Sequence, residues 1–169
     1  MIGFKRKLKN FGPLEILVIC SFLYIFIMLV WTASTRSEVI KKASDIKSNH
    51  KIVVDFINDE VNKCSLNNNT TTSWGENCSS VWTSKKIVKY ILINFELNNP
   101  YNISKPLIQT SQDPRIQAEG KAGQSTDKGI IFVSSNNFES EAGAEWVIGA
   151  CVKSPCVAAG NNELVSVYR

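Results

Sequence analysis

One histidine, five cysteines and a glutamate at the mouth of an apolar run are the residues of this chain with chemistry to offer. Any Ser–His or Cys–His scheme would have to run through His50. His50 falls on the apolar stripe of a helical pattern, where packing is the expected role, and no catalytic constellation assembles around it. Glu139, Glu141 and Glu145 are near neighbours, but nothing in the sequence sets one carboxyl against another in a dry site, so they read as a solvated acidic loop. No glycine-rich phosphate loop follows a predicted strand. The expectation is a chain with no catalytic residues, no cofactor and no enzyme activity.

Cys20 lies in the apolar run and is expected to pack as a small hydrophobe. The other four cysteines allow three connectivities, and proximity favours Cys64–Cys78 with Cys151–Cys156. A closed loop of about 15 residues is worth roughly 3 kcal/mol in the chain-entropy account. Zinc is the competing use of four cysteines. The spacings contain no C-x-x-C pair and His50 is remote from the second pair, so no metal site is expected.

Glu15 stands just before an apolar stretch, Ile16 to Ala33, broken only by Ser21 and Thr32. Eighteen helical residues span about 27 Å, close to the roughly 30 Å of a bilayer core. A secretory signal peptide is the alternative, with "WTAST" as a weak imitation of its cleavage site, although such apolar regions usually run only about 7–15 residues. Charge sets the orientation. Lys5, Arg6, Lys7 and Lys9 account for the whole net +4, and the remaining Lys/Arg equal the Asp/Glu at 15 each. Basic residues ahead of the helix predict a cytoplasmic N-terminus and an exported remainder, in a compartment that permits disulfides. The balanced remainder carries no nucleic-acid footprint.

The elements that position these residues follow from periodicity. Beyond the apolar run, Val39, Ala43, Ile46, His50, Val53, Ile57 and Val61 recur every three or four residues, with charges on the opposite face. No Pro or Gly interrupts Leu14 to Leu66, which predicts one helix of about 50 residues, roughly 75 Å long. The polar stretch Asn67 to Ser80 reads as a loop, and "SKKIVKYILINFEL" as a short second helix, with a strand as the alternative. Pro100 and Pro106 make the next segment extended. "GIIFVSS", "EWVIGACVKS" and "ELVSVYR" read as strands of a small antiparallel sheet, beginning near Gly129 and packed on the amphipathic half of the long helix. The expected fold class is therefore α+β. The Asn-x-Ser/Thr sequons at Asn68, Asn69, Asn77 and Asn102 carry little weight in so Asn-rich a chain.

Together these features resemble the type IV pilin and pseudopilin family: a short basic leader, then Phe, then Glu four residues on at the start of an apolar helix. Here "FGPLE" supplies Phe11 and Glu15. The stretches "SNHKIVVDFINDEVNKCSLN", "NFELNNPYN" and "ACVKSPC" also resemble alphaproteobacterial pilins. The resemblance implies a leader of residues 1–10, a transmembrane or filament-core half-helix over 11–33, an amphipathic half over 34–66 and a globular head over 67–169. It further implies processing between Asn10 and Phe11 by a prepilin peptidase, an assembly platform, and partnership with homologous pilin subunits. The chain would sit in the inner membrane as a single-pass protein, then in a periplasmic or extracellular pilus. Glu15 would pair with the free amine of a neighbouring subunit, offsetting the roughly 2.5–3.5 kcal/mol that a carboxylate costs at mid-membrane on insertion scales. The milder role for Glu15 is to lie at headgroup level and complement its own helix N-terminus.

Two positions depart from the family pattern. The family has Gly, occasionally Ala, where this chain has Asn10, and an aliphatic or small polar residue in place of Gly12 and Pro13. Pro is tolerated in a first helical turn, so the departures bear on cleavage and not on helix formation. They keep open a second reading, a membrane-anchored periplasmic binding or accessory module that does not polymerise.

Overall fold

The computed structural model describes residues 12–66, 71–80, 82–119, 128–135 and 145–169. The chain divides into two units, Met1–Ile40 and Lys41–Arg169. The described part of the first is the opening portion of helix α1, which runs without interruption over Pro13–Leu66.

In the second unit, α1 buries Ile46, His50, Val53, Val54, Ile57, Glu60 and Val61. These positions recur at three- and four-residue steps, so they form one stripe. The stripe expected from the sequence is buried from Ile46 onward, and Val39 is exposed. Helix α2, Ser84–Asn94, presents Ile87, Val88 and Ile91 to the same core. Strand formation there loses to the helical spacing of these three residues, which seats them together on one face.

A four-stranded mixed sheet completes the head. It is built from β1 (Ile108–Thr110), β2 (Ile131–Ser135), β3 (Glu145–Cys151) and β4 (Asn162–Tyr168), in the order β1-β2-β3-β4. β2, β3 and β4 pair antiparallel, with Val133 opposite Ile148 and Ile148 opposite Val165. β1 pairs parallel to β2, with Gln109 opposite Phe132. The fold is α+β, a long N-terminal helix packed on a small sheet, with one short parallel edge strand added to the antiparallel three.

Alternation along the strands sorts the two faces. Ile131 and Val133 of β2, with Trp146, Ile148 and Ala150 of β3, join the core that contains α1 and α2. Each such aliphatic side chain, fully buried, contributes about 1.5–3 kcal/mol. Gly149 alternates to the opposite face, where helix α3 (Pro114–Glu119) packs. A Cβ at Gly149 would stand 2.6 Å from Pro114 O and 2.9 Å from Ala118 Cβ. The absence of a side chain there lets α3 approach the strand backbone.

Candidate functional site

The described part of the first unit sets Glu15 ahead of a wall of hydrocarbon, with Arg36 and Glu38 beyond it. Pro13 is the first residue of α1, and Gly12 O accepts from the N–H groups of Glu15 and Ile16 at 3.1 and 3.2 Å. Glu15 thus falls in the first turn, and its Oε2 accepts from Gly12 N–H at 3.0 Å. This is the returning half of a capping box, in which an acid three residues into a helix satisfies the N–H of the residue that caps it. The carboxylate also faces the positive end of the helix dipole.

From Ile16 to Thr35 no charged side chain follows, and the apolar residues point outward all round, with Leu17 at 68% exposure, Phe22 at 71% and Trp31 at 68%. The hydroxyls of Ser21, Thr32 and Thr35 donate back to Leu17 O, Leu29 O and Trp31 O. Polar hydrogens turned inward in this way suit a helix in lipid, where no water would receive them. By length and composition the helix can cross a membrane, compatible with a single-pass anchor. Cys20 lies free and exposed on it. Asn10 and Phe11 lie outside the described residues.

In the head, Cys64 is bonded to Cys78 and Cys151 to Cys156. Among the described residues no group of three or more His, Cys, Asp or Glu is placed to hold a metal ion. Cys64 sits at the end of α1, so the first bond fastens that end to the loop leading into α2. Two buried carboxylates, neither singled out by the sequence analysis, organise the same loop. Glu60 accepts from Ser73 N–H at Oε2 (2.8 Å), and from Ser73 Oγ and Lys63 Nζ at Oε1 (2.7 Å each). Burial alone would push its carboxyl up, but the hydrogen bonds from Lys63 and Ser73, with the Lys63 charge, outweigh it and hold the group below the ordinary glutamate value. Glu76 accepts from Trp74 Nε1 at 2.8 Å and pairs with Lys86 Nζ at 3.0 Å. A signal for Glu60 existed: it is three residues past Ile57, on the buried stripe.

Aromatic rings fill the space around this loop. Trp74 meets Phe56 and Trp82 edge-on, with centroids 5.9 and 5.1 Å apart, and Arg169 lies 4.4 Å over the Trp82 ring. His50 is buried against the sheet with Nε2 3.1 Å from Ile148 O. A carbonyl only accepts, so Nε2 carries the proton. Burial lowers the pKa of the ring, against the raising effects of that bond and of Glu163. Its role is packing and one buried hydrogen bond. Glu139 and Glu141 lie outside the described residues. Glu145, expected in a solvated loop, instead begins β3, where its Oε1 accepts from Arg115 (3.0 Å), Ser166 Oγ (2.6 Å) and Tyr168 OH (3.2 Å).

Comparison of the chain with family models, curated proteins and solved structures yields no match.

Proposed function

We propose that this chain is a structural subunit, major or minor, of a type IV pilus-like filament. It assembles through its apolar half-helix and displays the disulfide-bonded head. The observation that carries the reading is a single helix of two characters. Pro13–Leu66 is continuous, exposes hydrocarbon on every side up to Trp31 with Glu15 as its one charge, and then becomes the buried spine of an α+β head. Such half-helices remove their apolar surface from the bilayer only by packing on one another. The partners are homologous pilin subunits, the inner membrane, a prepilin peptidase and an assembly platform.

Glu15 gains its assembly role once cleavage at Phe11 frees an amine. In a low-dielectric bundle the neighbour's ammonium offsets the cost of the buried carboxylate far better than a neutral N–H does. Until then Gly12 N–H holds it. The test is the N-terminus and intact mass of the protein from membrane and filament fractions. A chain beginning at Phe11 in filaments supports the reading; a chain that keeps Met1 and stays in the membrane overturns it.

The Gly12–Glu15 hydrogen bond, together with Asn10, favours the second reading, a membrane-anchored periplasmic binding or accessory module that never polymerises. There Glu15 only caps its own helix, and Glu15→Ala changes nothing beyond the stability of the first turn.

A further inference from the structure

Between α2 and the sheet edge lies a groove of about 640 Å³, lined by Lys85, Lys89, Leu92 and Ile93 of α2 and by Ile108 and Thr110 of β1. Three features make it more than a gap between elements. First, β1 is an edge strand. Its bonds to β2 run through Leu107 O and Ser111 N, so by the parity of a parallel ladder the N–H and C=O groups of Ile108 and Thr110 face outward, unpaired by the sheet. Second, the apolar wall is open, with Leu92 47% and Ile93 70% exposed. Third, the wall is cationic. Lys86 is engaged by Glu76, whereas Lys85 and Lys89 meet no carboxylate among the described residues.

We propose that this groove receives an extended acidic segment of a second copy of the chain, Phe138-Glu139-Ser140-Glu141, as an added strand beside β1. The match is metric as well as electrostatic. Lys85 and Lys89 are one helical turn apart, about 6 Å along the axis. Glu139 and Glu141 of an extended chain lie on one face, about 6.6 Å apart. Glu141 then lies beside Lys85 and Glu139 beside Lys89, with the intervening Ser140 turned to the opposite face of the added strand. Main-chain bonds to Ile108 and Thr110 supply affinity, and the charge pair sets register. This head-to-head contact rests on the reading of the chain as a self-assembling subunit.

The probe is a fluorescein-labelled peptide of residues 136–144, titrated into the full chain in detergent and followed by anisotropy. Saturable binding is expected. It should fall at least about tenfold with Lys85→Glu plus Lys89→Glu and return when the peptide carries Glu139→Lys and Glu141→Lys, an interaction worth about 1.4 kcal/mol per tenfold. Thr110→Pro, which removes an outward N–H without touching the ladder to β2, should weaken it independently. Absence of saturable binding, or binding indifferent to both charge reversals, overturns the proposal. A Cys20→Ala chain bearing Gln109→Cys and Ser140→Cys, two positions on the face turned away from α2, reports the occupant: disulfide-linked dimers support a second copy, and a bond confined to the monomer overturns it. These outcomes are separable from the filament reading. A chain that begins at Phe11 and ignores the peptide loses only the groove contact.

Discussion

Replacing Glu60 by Gln keeps the shape of the side chain and removes its charge, which isolates the claim that a buried carboxylate holds the disulfide loop. Its Oε2 takes Ser73 N–H, while Oε1 takes Ser73 Oγ and Lys63 Nζ. An amide keeps one acceptor oxygen and turns the other into a donor, so whichever way it sits one N–H or O–H faces an NH₂ group. Hydrogen bonds to charged groups are worth about 1.5–3 kcal/mol. The Lys63 arm adds little, because that ammonium is half exposed and screened. The expected cost is therefore about 2–3 kcal/mol, dominated by Ser73. At about 3–5 °C per kcal/mol for a head of this size, the melting temperature should drop by roughly 6–15 °C.

The assay is a near-ultraviolet circular dichroism melt of the full chain in detergent at neutral pH, reading the indoles of Trp74 and Trp82 beside the loop. Ser73→Ala, which removes only the Oγ bond, should cost less. The acid limb gives a second check. Because the folded Glu60 carboxyl titrates below the ordinary glutamate value of 4.5, its contribution is fully present above that pH. It is lost as pH falls from 4.5 through the folded value. In Glu60→Gln that part of the acid sensitivity should vanish. A variant that melts with the parent and keeps the same acid limb would refute the role assigned to Glu60.

His50 predicts a separate pH effect. Its pKa is lowered from 6.5 in the folded head, so stability is whole above 6.5 and declines as pH falls toward the folded value, by up to about 1.4 kcal/mol per unit. His50→Leu should flatten that slope in urea titrations between pH 7 and 5. Gly149→Ala drives a Cβ against Pro114 O and Ala118 and should destabilise the head by about 1–3 kcal/mol, read as a lower urea midpoint. Removing the Cys64–Cys78 bond as a double Ser variant should cost about 3 kcal/mol and make the loop between them the first site of limited proteolysis. Glu15→Ala should abolish filament incorporation while membrane insertion and both disulfides persist; unchanged incorporation would remove the ion-pair role.

Periodicity makes much of the fold legible in the sequence. The stripe Ile46, His50, Val53, Ile57, Val61 needs only a 3.6-residue repeat, and the strands around Phe132, Val147 and Val165 stand out by their β-branched and aromatic content. β1 did not stand out. Three residues just after Pro106 carry no period, and parallel pairing depends on where β2 lies, which no local pattern encodes. α3 was missed although Asp113-Pro114 marks its start, with Asp113 Oδ1 accepting from Arg115 N–H and Ile116 N–H. At the site, Glu15 was visible because a lone charge before hydrocarbon is conspicuous. Glu60 could be placed on the buried stripe by its spacing from Ile57, but its pairing could not, because Ser73 lies across a loop whose path only folding determines.

The fastening of α1 at Cys64 also decides how the head bears load. A pull along the axis from the Lys41 end meets the buried stripe from Ile46 to Val61 lengthwise, with its far end locked to Cys78 and pinned by Glu60 to Ser73. The helix therefore cannot be unpeeled one turn at a time. All of its contacts with the sheet must slide together, a shear geometry in which many weak contacts resist as one, and the covalent stop at the end prevents the spine from being drawn out of the head.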